Sequence, residues 1–462
     1  MRPKNQLFGN RIFYKSVLSI ALPIMFQQLV QSMVSLIDNF MVAGLGDICM
    51  SGVNVANQIL FIFMVFLNTI AMAGGIYLTQ YYGAGDPAGM KQAFSFKIIS
   101  GLLAFIPYLL VCIVFPRQVL SLMLIGNTEA SAILDQGVTY MRIMFFMGLQ
   151  MTVSVCIATS LRDTGQVRTP LIISITGALT NTLFNWLLIY GNLGMPRLEV
   201  RGAAIATVIA RTVELTLYII VCVRKKPAFI IRPAELFRVN VTLFREIMKK
   251  GAMVMISEMT WVLSETITTA IYNGRGGAEV VSGMAAGFAI ANLFFIAFGG
   301  NTVATSVILG STLGAGKLEE ARKQKRWLLS GTVIMGLVMM VFGMATTLII
   351  PVVFGRLSAE AVIICRNLVI LIAGFIPVWL YVNCQLAVSR AGGDTAMGAF
   401  ADAGITVFIM IPMLFLLARF TKMGPVMLYF WVKLTDILRI IVFHYWLKKE
   451  RWLRNLTEEK TA

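Results

Sequence analysis

Histidine is nearly absent from this chain of 462 residues: His444 is the only one, and no metal-ligand spacing surrounds it. An enzyme of the membrane interior needs a nucleophile beside a base, or a metal cluster, and neither pattern occurs. The six cysteines (Cys49, Cys112, Cys156, Cys222, Cys365 and Cys384) stand singly, mostly inside apolar stretches. No C-x-x-C pair or zinc spacing joins them, so they read as small packing residues rather than a disulfide framework. Charge is also scarce. Only 13% of residues are charged and 58% are apolar, against about 25% charged in an average soluble domain, which excludes a soluble protein and points to the bilayer.

Apolar runs recur along the whole chain, and twelve can be read, near 16–43, 52–81, 94–115, 134–160, 169–190, 202–223, 251–273, 280–310, 327–354, 361–388, 396–418 and 425–447. Each can cross a hydrocarbon core of roughly 30 Å as a helix, and together they leave no room for a sizeable soluble domain. The expected fold class is therefore an all-α integral membrane protein with twelve transmembrane helices. The first run exceeds the apolar part of a signal peptide and carries Gln27, Gln28 and Gln31, so it reads as a retained span.

The formal charge of +17 reflects orientation. Most Lys and Arg lie in the two termini and the even-numbered connections, including Arg224 through Lys250 and Lys317 through Arg326. Positive charge gathers on the cytoplasmic side, so both termini are expected there, and no nucleic-acid partner is needed to explain the basic balance.

Sliding the sequence by 231 positions lays Tyr82-Gly83-Ala84-Gly85 on Leu313-Gly314-Ala315-Gly316 and Ser51-Gly52 on Ser282-Gly283 with no gap between. Arg162-Asp163-Thr164-Gly165 falls on Arg390-Ala391-Gly392-Gly393, and helices 6 and 12 carry Arg211 with Glu214 and Lys433 with Asp436. Helices 1–6 and 7–12 thus read as copies. Copies with an even number of spans run in the same direction, so a pseudo-two-fold axis along the membrane normal relates them. The expected division is an N-terminal lobe 1–223, a cytoplasmic linker 224–250, a C-terminal lobe 251–447 and a cytoplasmic tail 448–462, with the lobes facing across a central cavity. Pro227, Pro233 and Asn240 argue against a continuous helix through the linker.

An acid inside a bilayer costs at least a few kcal/mol unless it faces a cavity or a partner, so intramembrane acids are functional candidates. Spacing of three gives Arg211–Glu214, and Lys433 and Arg439 about Asp436, the pattern of structural ion pairs. Asp38 has no basic residue within a turn. Held in apolar surroundings, such a carboxyl takes up a proton near neutral pH or stays charged by holding Na⁺ with neutral oxygens. Asn181 and Asn185 share one face of helix 5, and Tyr140 and Thr207 lie in helices 4 and 6, so these residues with Asp38 form a candidate cation or proton site. The bland reading is amides that join helices. In helix 7, Glu258, Trp261 and Glu265 fall along one stripe. A desolvated carboxylate beside an indole suits a lipophilic cation, although Trp261 equally reads as packing. Asp402, early in helix 11, is a further candidate. The 28 methionines would line an adaptable wall, although most must be plain helix packing.

These segments together resemble the multidrug and toxic compound extrusion (MATE) transporters over nearly the whole chain. Asp38-Asn39-Phe40-Met41-Val42-Ala43-Gly44-Leu45-Gly46 is similar to the family's helix 1 pattern, and the two Gly-Ala-Gly motifs to its loops after helices 2 and 8. Arg162 to Pro170 resembles the loop before helix 5, and Arg201 to Thr207 the start of helix 6. Ser257 to Trp261 and Ser389 to Thr395 resemble a bacterial branch. The resemblance implies a transporter and no enzyme: a monomeric antiporter of the bacterial inner membrane that exports organic cations or amphiphiles by alternating access, in exchange for H⁺ or Na⁺ and without a cofactor. It implies Asp38 as the coupling acid and Asn181 and Asn185 as the helix 5 polar pair, this chain having Asn185 where some members have an acid. Glu258, with Glu265 as the alternative, and Asp402 correspond to acids of helices 7 and 11. The alternative is a flippase for lipid-linked oligosaccharide or another lipid, from the same superfamily. Those proteins carry a basic cavity, whereas the candidates here are acidic.

The charge asymmetry gives a direct test. In a cysteine-free background, a cysteine placed at Lys226 is expected to resist an impermeant thiol reagent in intact cells and to react once the membrane is opened; labelling from outside would reverse the orientation.

Overall fold

Twelve long helices lie where the apolar runs predict them: α1 (Arg11–Ala43), α2 (Asp47–Ala84), α3 (Pro87–Ile113), α4 (Ala130–Asp163), α5 (Arg168–Tyr190), α6 (Val200–Lys225), α7 (Val241–Asn273), α8 (Ala278–Gly314), α9 (Leu318–Thr346), α10 (Ala359–Ala391), α11 (Met397–Phe420) and α12 (Pro425–Lys448). They come from a computed structural model that describes residues 6–125, 129–354 and 357–458, so the first five residues of the expected N-terminal lobe and residues 459–462 of the tail fall outside it. Among the described residues there is no strand. Ten of the twelve are long and apolar enough to cross a membrane by length and composition alone. The exceptions, α7 and α12, carry Glu258 and Glu265, and Lys433, Asp436 and Arg439. Those charges sit in mid-span and lower the hydropathy of their helices.

Several helices start earlier than their apolar runs, α9 among them at Leu318 rather than 327. Pro87 opens α3, and the Asp86 carboxylate caps it, accepting from the Ala88 and Gly89 amides at 2.9 and 3.0 Å; this Asp-Pro start is the standard pairing of cap and first-turn proline. The α7 helix begins at Val241 rather than 251, with Asn240 Oδ1 accepting from the Leu243 amide at 3.1 Å. Hydropathy misses this stretch because it carries Arg245, Glu246 and Lys249, which are exposed, and the half-buried Lys250. Before it, the chain from Lys226 to Asn240 holds only a short 3₁₀ turn, Pro233–Glu235, as the prolines there require.

Contacts divide the chain into two units. One comprises 26–78 and 86–247. Its core stacks Phe63 on Tyr108 at 4.4 Å and lines one face of α4 with Met141, Met144, Met147 and Met151, all buried. A second buried feature here is an ion pair: Lys97, fully buried, donates to Asp163 at 2.6 Å and to Ser160 and Thr159 at 3.2 and 3.3 Å. Gly74 and Gly75 of α2 leave the room for it, since a Cβ at either would press on Lys97 or Asp163.

The other unit comprises the chain up to Met25, 79–85 and everything from Met248 onward. Here the end of α2 crosses α8 with backbone against backbone. A Cβ at Gly83 would run into the Ser311 backbone, and one at Gly314 into the Gln80 backbone. These two contacts are the same contact twice, because the 231-residue shift carries Gln80 onto Ser311 and Gly83 onto Gly314. Gln80 also ties the tail down: its Nε2 donates to the Ala391 carbonyl at 2.9 Å, and its Oε1 accepts from the Leu456 amide at 2.8 Å. Beyond α12 the tail packs Trp452 completely out of solvent under the Lys325 ammonium, and Arg322 holds Glu450 bidentately at 3.0 and 2.7 Å. That guanidinium keeps the Glu450 carboxyl below its ordinary range. The pair is therefore intact at neutral pH and lost only when pH falls below the usual carboxylate titration.

Backbone contact leaves no flexible atom to move aside, so Gly83→Val and Gly314→Val are each expected to destabilise the protein by about 3 kcal/mol or more. Thermal melting in detergent measures this; a melting temperature within a few degrees of the parent for both would mean the crossing does not hold α2 to α8.

Candidate functional site

In α1, Asp38 follows an apolar stretch and is partly buried, with two amides from α5 turned toward it. Asn185 Nδ2 donates to Asp38 Oδ1 at 2.6 Å. The Asn181 amide faces the same carboxylate, with its nearer atom 2.7 and 3.0 Å from the two oxygens once that atom is taken as nitrogen. A charged carboxylate tolerates an amide at that distance only through N–H, because two acceptor oxygens so close would repel. The i,i+4 spacing in α5 is what brings both amides to one side. Behind them, Thr207 of α6 lies 3.3 Å from the Asn181 amide, and buried Tyr140 of α4 donates to Asn57 Oδ1 of α2 at 3.4 Å. The five residues expected at this site therefore gather together, Tyr140 lying within hydrogen-bonding reach of Thr207, and Tyr140 also joins Asn57, which the sequence did not single out.

The donor set decides what the site can hold. Asp38 receives two neutral N–H groups when charged, and among the described residues no Lys or Arg forms an ion pair with it. That arrangement satisfies a carboxylate, and it also allows a proton to be accepted on Asp38 if the Asn181 amide turns its oxygen to receive the new O–H. A Na⁺ ion requires several oxygens pointing inward. Here Asn185 Nδ2 points inward instead, the Asn181 amide does the same when Asp38 is charged, and Asn185 Oδ1, buried and without a hydrogen-bond partner, points elsewhere. Among the described residues no cluster of three His, Cys, Asp or Glu side chains offers a metal site.

The candidate acids of the other unit are arranged differently, since Glu258, Glu265 and Asp402 each have a resident cation. Glu258 is held by Arg390 at 2.9 Å, a pairing from the end of α10 that also reaches Ser257 at 3.3 Å. Asp402 accepts from Arg439 Nε at 2.9 Å and from Ser257 at 3.4 Å. Arg439 also pairs with Asp436, whose other oxygen accepts from the Trp379 indole at 2.7 Å. Glu265 pairs with Lys433 at 3.4 Å. This corrects the reading of Glu258 as an unpaired carboxylate beside Trp261: its charge is met by Arg390, and Trp261 is 55% exposed. It also redirects Lys433, which spacing assigned to Asp436. Arg211 and Glu214 pair at 2.6 Å as their spacing predicts. In α11, Asp402 ends a π-helical segment, Met397–Asp402, and a second, Thr406–Met410, follows. The wider turns bring Thr406 as well as Asp402 to the Arg439 guanidinium, at 2.7 Å.

The MatE family model matches residues 23–187 and 254–416, most of the chain. A probable multidrug resistance protein NorM of Thermotoga maritima is 22% identical over 415 residues, covering 89% of this chain and 87% of that protein. The probable multidrug resistance protein YoeA of Bacillus subtilis is 24% identical over 435 residues, covering 89% and 88%. Among solved structures, an outward-facing multidrug resistance MATE family transporter of the MOP superfamily matches with a TM-score of 0.81 at 16% identity, covering 98% of each chain. A MATE protein in a straight conformation matches with a TM-score of 0.81 at 17% identity, covering 96% of this chain and 97% of that one. Likeness at this identity carries the fold, a two-lobed bundle of twelve spanning helices.

Because Arg390 is nearly buried, Glu258→Gln is expected to remove one of the groups that balance its guanidinium and to cost about 1 kcal/mol, discounted for the partial exposure of Glu258. Glu258→Gln with Arg390→Met should recover much of that loss. Melting of the single and double variants checks it; additive losses would show that the two side chains do not act as a pair.

Proposed function

The chain belongs to the MatE family, a family of membrane transporters, and from that premise we propose that it is an efflux antiporter for organic cations and amphiphilic compounds driven by inward movement of protons. The relatives named for multidrug resistance and multidrug export support the efflux reading. The choice of H⁺ rests on one observation: Asp38 is surrounded by amide N–H donors from Asn181 and Asn185 rather than by converging oxygens. A carboxylate so placed is poised to take a proton, with the Asn181 amide rotating to follow it, whereas Na⁺ would require both amides to turn at once. Binding a proton replaces a buried charge by a neutral group, and that difference is what can bias two conformations of the protein. Thr207 positions the Asn181 amide, and Tyr140 stands beside Thr207. Asp402, Glu258 and Glu265 stay charge-paired and form the second polar region, available to substrate. In this reading the protein acts as a monomer in the bacterial inner membrane with both termini cytoplasmic, takes no cofactor, and has small cationic molecules and the bilayer as its partners.

Vesicles loaded with a fluorescent cation and given a pH gradient or a Na⁺ gradient separately distinguish the ions. Transport is expected under the pH gradient alone, and Asp38→Asn should reduce it to background with normal expression and melting, since the substitution removes a charge change at constant shape. Transport driven by Na⁺ at constant pH, or near-normal coupled transport in Asp38→Asn, would sink the proposal.

A further inference from the structure

Lys433 is the one lysine among the charged pairs of α7, α10, α11 and α12 described above, and its surroundings are unlike those of the arginines. Its ammonium sits over two aromatic faces, 5.3 Å from the centre of Trp379 and 5.2 Å from that of Tyr429, with the Glu265 carboxylate 3.4 Å away. Phe295 and Phe375 back Trp379 at 6.0 and 5.9 Å, and Tyr272 and Phe288 back Tyr429 at 5.7 and 5.8 Å. Aromatic faces closing on a carboxylate are the chemistry that recognises an alkylated ammonium ion, because each ring offers its negative face and the acid supplies the net charge. The rings are locked: the Trp379 indole donates to Asp436 at 2.7 Å, and Tyr429 is buried.

Two details make the occupant exchangeable. The Lys433–Glu265 contact is longer than the 2.9 Å contacts of Glu258 and Asp402, and Glu265 is 38% exposed while Lys433 is 17% exposed, so the site opens along the Glu265 edge. A displaced Lys433 would remain near Asp436, three residues on along α12, whose carboxylate accepts from Arg439 and Trp379 and has lone pairs left for an ammonium.

We propose that Glu265, Trp379 and Tyr429 form a receptor for organic ammonium ions that Lys433 fills from within the chain, so that a substrate cation enters by displacing Lys433. This rests on the export of organic cations argued above. The lysine sets a threshold: an ion must bring more apolar contact than a bare ammonium to take the rings. Weakly apolar amines of the cell are thereby refused.

The test is binding to purified protein in detergent, with no gradient, of benzyltrimethylammonium and its uncharged carbon isostere neopentylbenzene. Lys433→Met is expected to tighten the cation at least tenfold and the isostere less than twofold. Lys433→Arg, which refills the site, should tighten neither, and Glu265→Gln added to Lys433→Met should abolish the gain. In the unsubstituted protein, saturating benzyltrimethylammonium should raise acylation of Lys433 by an amine reagent, read by peptide mass spectrometry, which keeps the proposal testable if Lys433→Met does not fold. Equal gains for the cation and the isostere, no gain in a folded Lys433→Met, or unchanged Lys433 acylation would each overturn it. Failure of the export reading shows separately, as parent vesicles that move no cation under either gradient although the Lys433→Met gain is present.

Discussion

Every charge inside the bilayer must be answered by another group, and the candidate acids are answered in two ways. In one, Asp38 is met by neutral amides, which stabilise a carboxylate without fixing its charge state. In the other, Glu258, Glu265, Asp402 and Asp436 are met by Arg390, Lys433 and Arg439. A carboxylate paired with a guanidinium resists protonation, since losing its charge would strand the cation in a medium of low dielectric. An acid held by amides has no such penalty. Under the proposed function, the acid held by amides is the one that changes charge and the ion-paired acids keep theirs.

Under the proposed function that contrast divides the work: a group that gains and loses a proton supplies the free energy difference between conformations, and a set of fixed charges with aromatic neighbours supplies selectivity for what is carried. Four acids against three bases leave a small negative excess in the second set, which suits a cationic ligand better than a diphosphate. The α11 π-segments contribute to this by turning Asp402 and Thr406 onto one guanidinium.

Much of the architecture was legible in the sequence because a spanning helix must be apolar over about twenty residues, a signal that no tertiary contact can erase. Helix ends were less legible: α7 extends ten residues upstream of its apolar run, through a charged face that hydropathy ignores. Asp38, Asn181 and Asn185 could be singled out, because an acid without local partners and a pair of amides at i,i+4 are visible in a single segment. Their grouping with Thr207 could only be suggested, and Asn57 gave no signal. Pairing was the part that spacing misjudged. Lys433 has an acid three residues away and goes instead to Glu265 in another helix, and Glu258 found Arg390 across 132 residues of chain. Lys97, a base inside an apolar run, was a signal present in the sequence and left unused.

The crossing of α2 and α8 makes contact through peptide groups, so it constrains only what must be missing at Gly83 and Gly314. Gln80 and Ser311, whose backbones receive those glycines, were free to become different side chains, and Gln80 has since acquired a role in anchoring the tail that Ser311 does not share. Selection acting through such a joint preserves two vacancies and little else. This is why a duplication of more than two hundred residues survives in the sequence as a few scattered glycine motifs, and why similarity between the halves understates how alike their backbones remain at the point where they meet.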